Sequence, residues 1–155
     1  MRTLTANATT QKNSTSATPI VLVRIDWGGS LGTKWYGDRN FGSGNGSSWD
    51  NAEGRVLSFG RYSASLNEQQ MNAADDLRLT LRDEDKTVWT QWATTVAQAC
   101  RVRLYHTFGG LVWADAVLVF DGVITGQPEW KRDDATSSFD VVDRSLATDR
   151  PRISV

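Results

Sequence analysis

The chain has 155 residues, with 17 Lys and Arg against 18 Asp and Glu, one His, one Cys and seven Trp. The length suits one ordinary domain, the net charge of −1 excludes a strongly basic footprint for nucleic acid or anionic lipid, and a lone Cys excludes an internal disulfide. One His and one Cys also exclude a four-ligand zinc site of soft donors, and any Ser–His or Cys–His chemistry would have to use His106.

Residues 1–18 are rich in Thr, Asn, Ser and Ala, with Leu4 the only strong apolar residue after the initiator. They are expected to form a polar arm. Polar residues follow Arg2, where a secretory signal needs about 7–15 apolar ones, and no apolar run approaches the ~18 residues of a membrane span.

From Pro19 the pattern changes. Residues 20–27 are β-branched and apolar, with Val21, Val23, Ile25 and Trp27 on one face and Arg24 and Asp26 on the other, which predicts a strand. Residues 28–48 carry over half of the 13 glycines around one short strand at Lys34-Trp35-Tyr36-Gly37. A second strand region spans residues 55–66, with Gly60 a candidate bulge or bend.

Residues 76–82 alternate three Leu with Arg, Thr and Arg, the signature of a half-buried strand. After the acidic turn Asp83-Glu84-Asp85, Val88, Trp92 and Val96 stand four apart, which predicts one amphipathic helix over 86–99, capped by Asp85 or Thr87. Trp89 and Trp92 are assigned to the core.

Residues 101–108 alternate again and place Val102, Leu104, His106 and Phe108 inward. Residues 113–124 are almost continuously apolar, and Gly109-Gly110 makes these two strands a hairpin. A polar connection at 129–134 leads to the last strand, about 136–142. Trp113 and Trp130 are compatible with either core or surface. The expected fold is mainly β, a β-barrel or sandwich of about seven antiparallel strands with one inserted α-helix covering an opening. Its divisions are an arm at 1–18, a domain at 19–146 and a tail at 147–155.

No pattern of catalytic residues stands out. The stretch from Gly28 to Lys34 lacks the ending of a phosphate loop and no helix follows it. The 83–85 carboxylates lack the spacing of a calcium loop and suit a solvated turn at a helix start. Asp75-Asp76 and Asp133-Asp134 suit polar loops, His106 suits a core or interface histidine, and Cys100 suits a small buried side chain. The expectation is a protein that is not an enzyme, with no catalytic residues, cofactor or metal. Trp35, Tyr36, Phe41 and Trp49, in or beside the glycine-rich stretch, are the candidate contact residues, suited to a protein interface or to sugar stacking.

An ordered series of segments carries a family resemblance. VLVRID at 21–26 precedes WYG at 35–37 and RVLSFG at 55–60; LRLTLRD at 77–83 precedes a helix and RVRLY at 101–105; VFDGVI at 119–124 precedes Trp130 and FDVVD at 139–143. In this order the chain resembles the hub and tail-tip proteins of tailed bacteriophages over about residues 19–145. The resemblance implies a β-barrel that forms part of a ring or hub at the distal end of the tail tube, without catalysis. It implies copies of the chain and other phage tail proteins (hub, distal tail, tape-measure or fibre proteins) as partners, and a place in the virion tail after assembly in the host cytoplasm. The alternative expectation is a carbohydrate-binding β-sandwich module serving receptor recognition through the same aromatics.

Overall fold

The computed structural model describes residues 6–13, 19–41, 51–60, 76–94, 100–109 and 115–144. In chain order the elements are α1 (Ala6–Lys12), β1 (Pro19–Gly28), β2 (Gly32–Gly37), β3 (Glu53–Gly54), β4 (Val56–Ser58), β5 (Asp76–Arg82), α2 (Thr87–Thr94), β6 (Arg101–Phe108), β7 (Val117–Lys131) and β8 (Thr136–Asp143). The protein is mainly β, and its eight strands form one sheet in the order β3-β2-β1-β6-β7-β8-β5-β4.

Alternation decides which side of the sheet each residue serves. Val23, Ile25 and Trp27 of β1 meet Leu77, Leu79 and Leu81 of β5, Val102 and Leu104 of β6, Phe120 and Ile124 of β7, and Phe139 and Val141 of β8 in one interior cluster. Each fully buried aliphatic or Phe side chain there contributes about 1.5–3 kcal/mol. Ile20 and Leu22, on the other face of β1, join a smaller cluster with Ala52 and Tyr105 outside the barrel.

The sheet nearly closes on itself through one short piece of chain. β3 pairs in parallel with β2, matching Tyr36 to Glu53 and Gly37 to Gly54. β4 pairs antiparallel with β5. Only Arg55 separates β3 from β4, and its carbonyl accepts a hydrogen bond from the Arg82 amide at 2.7 Å. The two ends of the strand order are therefore held by one segment, with the one parallel pairing among the described residues at the seam. Gly54 is required there: a Cβ would lie 2.6 Å from the Asn40 amide nitrogen.

α2 packs against the interior of the barrel. Val88 is fully buried, Trp92 meets the Phe139 ring at 6.0 Å, and Gln91 accepts a 2.9 Å hydrogen bond from the Tyr36 hydroxyl. Trp89 is half-buried. The helix start is organised by Asp83 as well as by Asp85. The fully buried Asp83 carboxylate accepts hydrogen bonds from the Val88 and Trp89 amides, both at 2.9 Å, and from Ser137 Oγ at 2.7 Å. Asp85 accepts from the Thr87 amide at 3.1 Å. Of the acidic turn, Glu84 and Asp85 are solvated as expected, whereas Asp83 is a buried cap.

Several expected boundaries move. The helix expected over 86–99 is described as Thr87–Thr94, and 95–99 lie outside the described residues. The strand region expected at 55–66 is described as β4 alone, with residues from 61 outside the description. Residues 129–131 belong to β7, not to a connection, because Glu129, Trp130 and Lys131 pair with Ser138, Ser137 and Thr136. Gly28 to Gly32 forms the turn of the β1–β2 hairpin; Gly28, Gly29 and Gly32 all have positive φ, which explains the glycines without a ligand. The arm contains α1, whose Asn7 Nδ2 donates to Asp115 Oδ2 at 3.3 Å.

Candidate assembly surface

The registers of four neighbouring strands compose the outer surface row by row. Trp35 of β2 stands opposite Arg24 of β1, Arg24 opposite Arg103 of β6, and Arg103 opposite Asp121 of β7. The row on one side holds Thr33, Asp26 and Arg101. The row on the other holds Gly37, Leu22, Tyr105 and Leu118. A charged network thus borders an apolar patch, and Trp35 stands where the two meet.

Within the network, Asp26 accepts hydrogen bonds from Arg24 Nε at 2.9 Å and Thr33 Oγ1 at 2.8 Å. Asp121 is paired by Arg101 through both carboxylate oxygens, with Nε to Oδ1 at 2.7 Å. That Arg101 hydrogen bond holds the Asp121 carboxyl below the ordinary range despite partial burial. Arg103 lies between the two carboxylates, with Nη2 3.5 Å from Asp26 and Nε 3.9 Å from Asp121. Directly opposed like charges on antiparallel strands repel, and Asp26 and Asp121 offset the repulsion between Arg24 and Arg103.

The aromatic part rests on the outer cluster. Trp35 and Phe41 are half-buried and pack against Ile20, Leu22, Ala52 and Tyr105. The Trp35 ring meets Tyr105 at 5.7 Å, and the Arg24 guanidinium lies 5.7 Å from the Trp35 ring centre. Arg39 lies 5.8 Å from the Phe41 ring and donates to the Pro19 carbonyl at 2.9 Å.

Of the sequence-derived contact residues, Trp35 and Phe41 come together on this surface. Tyr36 does not. The alternation of β2 sends it into the barrel, where it is 1% exposed, receives a 3.4 Å hydrogen bond from Trp27 Nε1 and donates to Gln91. Burial pushes its phenol well above the usual range. Trp49 lies outside the described residues, as does Trp113. The charged partners Arg24, Arg101, Arg103, Asp26 and Asp121 are absent from the sequence-derived set. Their alternation marked a solvent face, but only strand register reveals that they are neighbours.

A second feature is the open cleft of about 260 Å³ over the seam, lined in part by Asn40, Glu53, Arg55, Arg82, Glu84 and Asp85. Arg55 grips both Asp85 oxygens, at 2.9 and 2.8 Å, and also pairs with Glu53. Asn40 Oδ1 accepts from the Gly54 amide at 2.7 Å. These polar groups serve the closure of the barrel.

The remaining candidates find structural places. His106 faces the barrel side opposite Val21, as its alternation predicts, but stands near the end of β6 and is exposed, not inward-packed. Cys100 is buried, its thiol 3.6 Å from the Trp27 carbonyl, and burial raises its pKa, so it is poorly suited to act as a thiolate. Trp130 is half-buried with Lys86 Nζ 4.6 Å above its ring. Among the described residues, no group of three or more His, Cys, Asp and Glu side chains is placed to hold a metal ion, and no helix is long and apolar enough to cross a membrane. No protein-family model matches the chain, and no curated protein matches it in sequence.

Proposed function

We propose that this chain is a structural component of a bacteriophage tail tip or baseplate, working by assembly with copies of itself or with neighbouring tail proteins at the distal end of the tail tube. One observation carries the reading. The segments behind the resemblance all lie in one nearly closed barrel: 21–26 in β1, 35–37 in β2, 55–60 at the seam, 77–83 through β5, 101–105 in β6, 119–124 in β7 and 139–143 in β8. The surface beside Trp35 supports it further, since Trp, Tyr and Arg dominate the binding energy of protein interfaces.

The test is light scattering and negative-stain microscopy of the purified chain, alone and mixed with the tail proteins encoded beside it. Uniform rings, or stable co-elution with a tail protein, is the expected result. A monomer that co-elutes with none of them and binds polysaccharide through Trp35 would replace this reading with the carbohydrate-binding one.

A further inference from the structure

The Arg24–Arg103 pair is the part of the surface that the fold does not account for. Two guanidiniums directly opposite each other on adjacent antiparallel strands oppose sheet formation by their repulsion. Asp26 and Asp121 reduce the strain without using all the donors. Asp121 is taken up by Arg101, and Asp26 by Arg24 Nε and Thr33. Arg103, whose side chain is 15% exposed, makes two ion-pair contacts and, among the described residues, no hydrogen bond, and its buried Nε lies 3.9 Å from Asp121, too far for one. Arg24 donates its Nε to Asp26 and lies over the Trp35 ring, and its two terminal nitrogens make no hydrogen bond among the described residues.

We propose that Arg24 and Arg103 form a seat for a carboxylate of a protein partner, an Asp or Glu side chain whose apolar neighbour packs against Trp35. Three guanidiniums face two carboxylates in this network, so it has a positive charge to spare. A carboxylate matches the fork of terminal guanidinium nitrogens in geometry as well as in charge. The half-buried Trp35 lies beside the seat in the same cross-strand row, backed by the buried Tyr105 of the next. An acidic residue flanked by an apolar one fits both halves at once. The choice of a protein over a sugar rests on the assembly reading; the carboxylate seat itself does not.

The test is a titration of the full, ¹⁵N-labelled chain with the blocked peptide acetyl-Ala-Leu-Glu-Glu-Ala-amide, with its Gln-Gln counterpart, and with galacturonate. The Nε–H resonances of Arg24 and Arg103 and the indole N–H of Trp35 are followed. The expected result is a saturable shift of all three with the Glu peptide and none with the Gln peptide. Arg24→Gln and Arg103→Gln should each weaken binding about tenfold, or about 1.4 kcal/mol, through the loss of a charged hydrogen bond. The rest of the spectrum reports whether each variant is folded; should Arg103→Gln unfold the chain, Arg24→Gln alone decides. Unmoved Arg resonances, or equal shifts with both peptides, overturn the seat. Tighter binding of galacturonate than of the Glu peptide overturns the protein occupant. Rings that form unchanged in a folded Arg24→Gln, Arg103→Gln double variant overturn the seat's part in assembly while leaving the tail reading standing.

Discussion

Arg55 and Asp85 meet across the line where the sheet returns to itself, the guanidinium gripping both carboxylate oxygens at 2.9 and 2.8 Å. Arg55 is also the one residue between the strand that pairs with β2 and the strand that pairs with β5. Its backbone spans the seam while its side chain ties the seam to the start of α2. Arg55→Ala should therefore destabilise the fold by about 2–3 kcal/mol, as charged hydrogen bonds to a mostly buried side chain are lost. Asp85→Asn, at a more exposed position, should cost about 1 kcal/mol or less. Urea unfolding of the two variants measures the ordering.

Asp83→Ala should be the more damaging change in the acidic turn. It removes the acceptor for two helix amides and for Ser137 in a fully buried place, with an expected loss of about 3 kcal/mol. Glu84→Ala, on an exposed side chain 3.8 Å from Arg82, should change stability by less than about 0.5 kcal/mol. Thermal unfolding of the pair checks the contrast.

Acidification should loosen the same seam. The Arg55 hydrogen bonds hold Asp85 far below its ordinary pKa, and Arg101 lowers Asp121 in the same direction. A depressed folded-state pKa gives stability that is present above the unfolded value, about 3.9, and is lost as pH falls through the folded value. Stability measured from about pH 5 downward should fall, and the slope should be shallower in Asp85→Asn.

Alkali acts on the interior instead. Tyr36 is buried with its pKa raised above 10, so its contribution is complete below the unfolded value near 10 and declines as pH rises through the folded one. Absorbance titration of the native protein should show the Tyr36 phenol ionising well after an exposed tyrosine. Tyr36→Phe should cost about 1 kcal/mol at neutral pH through the lost hydrogen bond to Gln91 and flatten the stability profile above pH ~10.

Trp35→Ala should separate assembly from folding. Half-buried on the outer cluster, its loss should cost the fold about 1–2 kcal/mol. On the proposed assembly reading Trp35 is a central interface aromatic, and its loss should weaken association by about 2 kcal/mol or more, roughly thirtyfold. Sedimentation of wild type and variant, with urea unfolding of the same variant, gives the two numbers.

The sequence made periodicity legible and left distance hidden. The period-two runs at 20–27, 76–82 and 101–108 identified strands, and those at 20–27 and 76–82 their inward residues, since burial of one face forces alternation; in 101–108 the pattern held for Val102 and Leu104 but not for the exposed His106. The four-residue spacing of Val88 and Trp92 likewise identified α2. The seam was invisible because β3 and β4 are too short to show any period. The same limit misplaced Tyr36: beside Trp35 in a glycine-rich stretch it looked like a surface aromatic, but neighbours on a strand point to opposite sides. The Arg24–Arg103 pairing joins residues far apart in the chain, and only the register of β1 on β6 brings them together.

The segment from Glu53 to Ser58 also sets an order of events on the ribosome. Its β2 neighbour has been synthesised before it emerges, but β5 depends on β8 for its other edge, and β8 ends at Asp143. Closure must wait for nearly the whole domain. Until then, β5 exposes an alternating leucine edge with its main partner missing, and such an edge invites pairing with other chains. A nascent chain stalled before β8 should therefore be sensitive to proteases and prone to aggregate, and release of the final hairpin should end both vulnerabilities together.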